Sequence, residues 1–311
     1  MTKLNSPPKV LFFGTPDFAV ASLQALLKAS IEVAAVITAP DRPAGRGRKI
    51  QTSAVKDCAI EHNLPVLQPE KLRDEDFLET LKSYQADLFI VVAFRMMPEE
   101  VWNMPPLGTI NIHASLLPKY RGAAPIHWAI INGEKETGVT SFQLRQDIDT
   151  GPILLQKKIP ILKEDTLESM YYKLMDLGAE LLIETVNGLF NNTLEAQKQS
   201  WTEGTALAPK VNKETGAIDW NNSCEAIFNL VRGLYPFPAT YTTFENETLK
   251  VYTVEPKTDA LDKNPIGTMD SDKKTYIRYK AKDGWIHILE AQLPGKRRMK
   301  VDDLLRGYRW E

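Results

Sequence analysis

Along the first two-thirds of the chain, apolar residues come in short unbroken runs. Between the runs lie stretches in which they recur every three or four positions. Val10-Leu11-Phe12-Phe13 is such a run, closed by Gly14, and Val33 to Ile37 is a second. Between them Val20, Leu23, Leu26 and Leu27 share one helical face, with Asp17 placed to cap the helix. A short extended run, Pro65 to Leu67, follows a helix-like stretch ending near His62. Leu88 to Ala93 is apolar at every position, which suits a strand buried on both faces of a parallel sheet. Thr109 to His113 reads as the next strand, Pro125 to Asn132 as a helix, and Val139 to Leu144 and Ile153 to Ile159 as two more strands. From Thr166 to Phe190 a helical period returns through Leu167, Met170, Leu174, Leu177 and Leu181. Strands interleaved with helices predict an α/β domain, a doubly wound and mostly parallel sheet of Rossmann-like type covered on both faces.

Over 191–208 the sequence turns polar and irregular, and a linker is placed there, between a first domain at 1–190 and a second at 209–311. The second part has a helix-like segment, Cys224 to Arg232. Short alternating runs follow, among them Leu249 to Val254, Thr275 to Tyr279 and Trp285 to Leu289. Short strands between turn residues predict a small β-barrel of OB-like type.

Composition narrows the function. A length of 311 residues suits two domains at the usual ~100–200 residues each. The formal net charge is −2, and 201–311 holds 17 Lys and Arg against 16 Asp and Glu, so any nucleic-acid role must rest on local clusters. Two clusters exist: Arg42, Arg46, Arg48 and Lys49 in one loop broken by Gly45 and Gly47, and Lys296, Arg297, Arg298 and Lys300 near the end. Cys58 and Cys224 stand far apart, and His62, His113, His127 and His287 have no second ligand at metal spacing, so neither a disulfide framework nor a metal site is signalled. The polar start of the chain and the lack of a long apolar stretch lead to the expectation of a cytoplasmic protein.

A doubly wound domain invites a nucleotide reading, which the turns do not support. Gly14-Thr15-Pro16-Asp17-Phe18 has one glycine and a proline where G-x-G-x-x-G is needed, and no G-K-[ST] follows Gly45-Arg46-Gly47. The chemistry-bearing strand end is Asn111-Ile112-His113. Strand alternation puts Asn111 and His113 on one face, an amide donor beside a proton carrier. A core Asn and His satisfied by backbone groups would look the same. Downstream, Gln146-Asp147-Ile148-Asp149-Thr150-Gly151 carries two carboxylates that are either turn formers or partners of His113.

At this point a family resemblance becomes specific. Asn111-x-His113 followed by Ser115-Leu116-Leu117-Pro118 and Gly122, with Asp149-Thr150-Gly151 downstream, resembles the signature of folate-dependent formyltransferases. Phe13 to Ala19, Pro40 to Arg48, Arg121 to Ile126, Ile218-Asp219-Trp220 and Gly295 to Met299 extend the likeness over essentially the whole chain, toward the group acting on methionyl-tRNA. The resemblance implies 10-formyltetrahydrofolate as formyl donor without a metal, and the α-amino group of initiator methionyl-tRNA as acceptor. It also implies Asn111, His113 and Asp149 as catalytic residues, with Asp149 preferred over Asp147 because it directly precedes Thr-Gly. Ser115, Leu116, Leu117, Pro118 and Phe94 are implied as folate-binding. Arg42, Arg46, Arg48, Lys49, Lys210, Lys296, Arg297 and Arg298 are implied as contacts to tRNA. In the folate loop, Arg95 stands where the family commonly carries glycine, within Ala93-Phe94-Arg95-Met96-Met97-Pro98. A formyltransferase using a small amine or water would need the same three catalytic residues, but neither the basic loop nor the C-terminal barrel. An RNA-binding protein with an idle catalytic domain is the rival of another class. Nothing in the sequence demands more than a monomer.

Overall fold

Each apolar run becomes a strand. The computed structural model of the protein describes residues 8–44, 49–259 and 262–308. In chain order the elements begin β1 (Lys9–Gly14), α1 (Asp17–Lys28), β2 (Glu32–Ile37), β3 (Arg42–Ala44), β4 (Lys49–Gln51), α2 (Ala54–Glu61), β5 (Val66–Leu67) and α3 (Glu75–Ser83). They continue β6 (Leu88–Val92), α4 (Glu99–Trp102), β7 (Thr109–His113), α5 (Pro125–Ile131), β8 (Glu136–Gln143), β9 (Ile153–Pro160) and α6 (Leu167–Phe190). After a polar stretch come α7 (Cys224–Gly233), β10 (Thr240–Phe244), β11 (Glu247–Thr258), β12 (Met269–Ser271), β13 (Ile277–Ala281), β14 (Gly284–Gln292), β15 (Met299–Lys300) and α8 (Val301–Arg306).

The first sheet has the order β5-β2-β1-β6-β7-β8-β9. It is parallel from β5 through β7, and β8 joins antiparallel to β7. Register sets the packing. Leu11 lies beside Ala35 and Phe89, and Phe13 beside Ile37 and Val91. These rows bury one face under Phe77 and Leu81 of α3 and Val101 and Trp102 of α4. Alternation sends Val10, Phe12, Val36, Leu88 and Ile90 to the other face, all fully buried. Each such side chain contributes about 1.5–3 kcal/mol on burial.

Strand order reverses between β1 and β6, and in open α/β sheets the crevice outside such strand ends receives the ligand. Gly14 and Val92 are partners at that point. A Cβ on Gly14 would stand 2.7 Å from the Ala19 Cβ, so the turn into α1 requires glycine. The expected cap of α1 is corrected here. Pro16 holds the cap position without a side-chain bond, and Asp17 is the first helical residue. Its carboxylate still serves the exposed N–H groups of the first turn, accepting from Phe18 N at 3.0 Å and from the Tyr171 hydroxyl.

Contacts divide the chain into two units. The first comprises Met1–Gly122, Thr137–Ile159 and Tyr171–Leu207; the second comprises Ala123–Glu136, Pro160–Met170 and Ala208–Glu311. In the second, six antiparallel strands run β10-β11-β14-β13-β12, with β15 on β14, in keeping with a small OB-like barrel. Their inner residues close over α7 and α8, with Ile227, Val231, Phe244, Val251, Ile286 and Leu304 in one core. Arg232 explains why the 160–170 segment belongs to this unit. Its buried guanidinium donates to the carbonyls of Leu162 at 3.1 Å and Asp165 at 2.9 Å, and to Asn229 Oδ1 at 2.8 Å.

Candidate active site

At the carboxyl end of β7, alternation works as the pattern predicts: Ile110 and Ile112 point into the core, while Asn111 and His113 share the opposite face. Asn111 is half-buried, and among the described residues its carboxamide has no hydrogen-bond partner. It is therefore a donor left available. His113 is only 7% exposed. Its Nε2 lies 2.9 Å from the Tyr120 carbonyl oxygen, an acceptor only, so this nitrogen carries a proton and donates. Its Nδ1 faces the Asp149 carboxylate at 3.7 Å.

Asp149 is held there by the backbone. Its Oδ2 accepts the Gly122 N–H at 2.9 Å. Both Asp149 (φ 54°) and Tyr120 (φ 61°), which carry the two groups facing the imidazole, adopt the left-handed conformation. For a residue other than glycine this costs about 1–2 kcal/mol, so the surrounding contacts must hold it. Asp147 stands apart: it is exposed, and its carbonyl accepts from the Thr150 hydroxyl at 3.0 Å, the behaviour of a turn residue. Of the two carboxylates left open by the turn motif, the fold brings Asp149 to His113.

A residue that sequence reasoning passed over completes the arrangement. Gln199, in the polar stretch after α6, is buried, and its amide donates to the carbonyls of Asp149 at 2.8 Å and Gly151 at 2.7 Å. Its oxygen accepts from Arg121 Nε at 3.0 Å and Nη2 at 2.6 Å. Nothing in a run such as Gln197-Lys198-Gln199-Ser200 distinguishes it.

The segment after His113 is internally braced. Ser115 is fully buried, with its hydroxyl donating to Lys119 O at 2.7 Å. The Thr140 hydroxyl donates to Ser115 O at 2.6 Å and accepts from Leu117 N at 3.1 Å, and Gln156 donates to Leu117 O at 2.9 Å. Leu117 is buried, while Leu116 and Pro118 are partly exposed. On the loop after β6, the Phe94 ring packs edge-on against Phe13 at 5.6 Å. Arg95 is turned back along the protein, donating to the carbonyls of Pro69 and, at 2.9 Å, Glu70. The loop's path is thus pinned by the side chain that departs from the family pattern.

The basic clusters divide. Arg42 is exposed on β3, which pairs with β4 so that Arg42 lies opposite Gln51. Arg46 and Arg48 lie outside the described residues, and Lys49 opens β4. In the second unit Lys210, Lys296 and Arg297 are exposed. Arg298 is engaged, paired with Glu290 and seated over the rings of Tyr235 and Tyr252, each at 4.7 Å.

Comparison with known proteins gives the family. Residues 8–186 match the formyl transferase family model, and residues 210–309 match the model of the formyl transferase C-terminal domain. The chain is 49% identical over 97% of its length to the methionyl-tRNA formyltransferase of Bacteroides thetaiotaomicron, covering 96% of that protein. It is 50% identical over 97% of its length to that of Phocaeicola vulgatus, again covering 96%. Among solved structures, an N-formyltransferase from Helicobacter canadensis in complex with folinic acid and dTDP-3-aminofucose superimposes with a TM-score of 0.67. At 22% identity it covers 92% of this chain and 99% of its own, a likeness of fold.

Proposed function

The chain belongs to the formyl transferase family, and from that premise we propose that Asn111, His113 and Asp149 carry its chemistry. The protein transfers the formyl group of 10-formyltetrahydrofolate to the amino group of methionyl-tRNA, and the acceptor is the initiator species, which yields N-formylmethionyl-tRNA. The observation that carries the site assignment is the imidazole of His113 set between Tyr120 O and Asp149 Oδ2, two residues from an Asn111 amide without a hydrogen-bond partner among the described residues.

The folate supplies an activated formyl carbonyl whose carbon is attacked by the neutral amine. The residues fit such a donor. The free carboxamide of Asn111 offers an N–H to the formyl oxygen as negative charge builds there; removing one donor of this kind costs about 3–4 kcal/mol of barrier. His113 takes the amine proton at Nδ1, since Nε2 is committed to Tyr120 O. Asp149, 3.7 Å away, offsets the positive charge the ring then carries. The proton is returned from His113 to the departing nitrogen. Ser115 serves this site as a brace, because its buried hydroxyl is spent on Lys119 O. Leu116, Leu117 and Pro118 on one side and the Phe94 loop on the other form the wall for the folate.

Arg42, Arg46, Arg48 and Lys49 contact the acceptor end of the tRNA, and Lys210, Lys296 and Arg297 contact its phosphates. Arg298 follows Arg297 in the sequence but spends its charge on Glu290, so its part is to shape the surface. No helix among the described residues is long and apolar enough to cross a membrane, and the protein acts in the cytoplasm as a monomer.

The test mixes the protein with 10-formyltetrahydrofolate and charged initiator Met-tRNA, with elongator Met-tRNA and a small amine alongside, and follows formyl-methionine on acid gels. Transfer to the initiator alone supports the reading, with Arg46→Ala raising the KM for tRNA. Transfer to small amines alone would overturn the acceptor and leave the catalytic trio standing.

A further inference from the structure

We propose that Gln199 is a positioning residue for formyl transfer, acting through Asp149; this rests on the assignment of Asp149 to the catalytic site. The backbone sets it in place first. Ile153 and Gln197 exchange both of their hydrogen bonds, at 2.7 and 2.8 Å, in an antiparallel bridge. Gly151 lies two residues before this isolated bridge and Gln199 two residues after it, and the Gln199 side chain spans the gap to the Gly151 carbonyl. The approach there is close: a Cβ on residue 151 would stand 1.6 Å from Gln143 O, so only glycine lets the loop lie down at this point.

Gln199 then uses its whole hydrogen-bonding capacity. Both protons of its amide nitrogen go to carbonyls of the loop, Asp149 O and Gly151 O, and its oxygen takes two N–H groups of Arg121. The reversed amide would set donors against the guanidinium and an acceptor against two carbonyls, so a single orientation satisfies the site. The bonds close a ring. Arg121 precedes Gly122, whose N–H holds the Asp149 carboxylate, and Gln199 ties Arg121 back to the Asp149 backbone. Arg121 is further steadied by stacking at 4.6 Å over Trp201. The left-handed Asp149 is therefore clamped from its carboxylate and from its carbonyl at once. The distance from Asp149 to His113 is the quantity this clamp controls.

The experiment is a double-variant cycle on the full-length protein, reading kcat and the folate KM separately. Gln199→Ala lowers kcat by about 10²-fold, the usual cost of misplacing a group by about 1 Å, with the folate KM little changed. Gln199→Glu keeps the acceptor for Arg121 but loses both donors to the loop, and shows the same loss of kcat. On an Asp149→Asn background, either change at Gln199 costs a further factor of about threefold or less, because the two act as one unit. Unchanged kcat in the single Gln199 variants, or losses that multiply in the double variants, overturns the proposal. An Asp149→Asn protein as active as its parent instead removes the assignment beneath it, and that outcome is visible without any change at Gln199.

Discussion

The Asp149 carboxylate stands 3.7 Å from His113 Nδ1 while the same oxygen accepts the Gly122 N–H at 2.9 Å. The acid is anchored on one side by backbone and faces the ring on the other, so its oxygen has a fixed position before any proton moves. Preorganisation of this kind costs no rearrangement at the moment of reaction. Replacing Asp149 with Asn keeps the shape and the Gly122 bond but removes the charge. We expect kcat to fall by about 10²–10⁴-fold, the range for general acid–base groups, with folate affinity retained. His113→Ala should behave alike. Single-turnover transfer and equilibrium folate binding, measured side by side, separate the two effects; equal losses in both would count against the assignment.

Asn111 makes a different kind of prediction, because among the described residues its amide bonds to no other group. Asn111→Ala should leave the unfolding free energy from urea titration within about 0.5 kcal/mol of the parent, as for positions free of packing or bonding duties. The same change should reduce kcat by about 10²–10³-fold. A variant that loses stability and activity in parallel would mean that Asn111 is a structural residue.

Arg95 ties the loop after β6 to the carbonyls of Pro69 and Glu70. Arg95→Gly restores the residue common in the family yet frees the loop. A net hydrogen bond contributes about 1 kcal/mol, so the KM for the folate donor should rise by roughly fivefold while kcat at saturation holds. An unchanged KM would show that the loop keeps its path without the tie.

Burial lowers the pKa of His127, on α5, below its ordinary 6.5. Below 6.5 the unfolded chain then binds more protons than the folded one, so stability rises with pH, is complete above the unfolded value, and is lost as pH falls toward the folded one. Urea midpoints collected from about pH 5 to about pH 8, the window in which histidine titrates, should decline on the acid side. Across the same window the decline should be shallower for His127→Gln. Parallel curves for the two proteins would exclude the histidine as the source.

Much of the architecture was legible from local pattern alone. The runs at Val10–Phe13 and Leu88–Val92 are apolar at every position because both faces of a parallel sheet are covered. Asn111 and His113 share a face because strand period is two. Elements with weak periodicity escape the pattern: β3, β4 and three-residue β12 bury too few residues to imprint one. The cap of α1 was misplaced by one residue, since Asp17 serves the first turn equally well from inside the helix.

The sequence by itself determined the order of the main elements and the face that Asn111 and His113 share, because these follow from spacing along one segment. Tertiary structure decided which residues meet. Asp147 and Asp149 are equivalent as turn residues; the family resemblance favours Asp149, and the Gly122 N–H and the left-handed backbone at Asp149 are what set its carboxylate beside His113. Gln199 is an unremarked polar residue until an antiparallel bridge between Ile153 and Gln197 sets it against the Asp149 loop. Hydrogen bonds between segments some fifty residues apart leave no period in the chain, since each partner is chosen by position in space and by nothing in its neighbours.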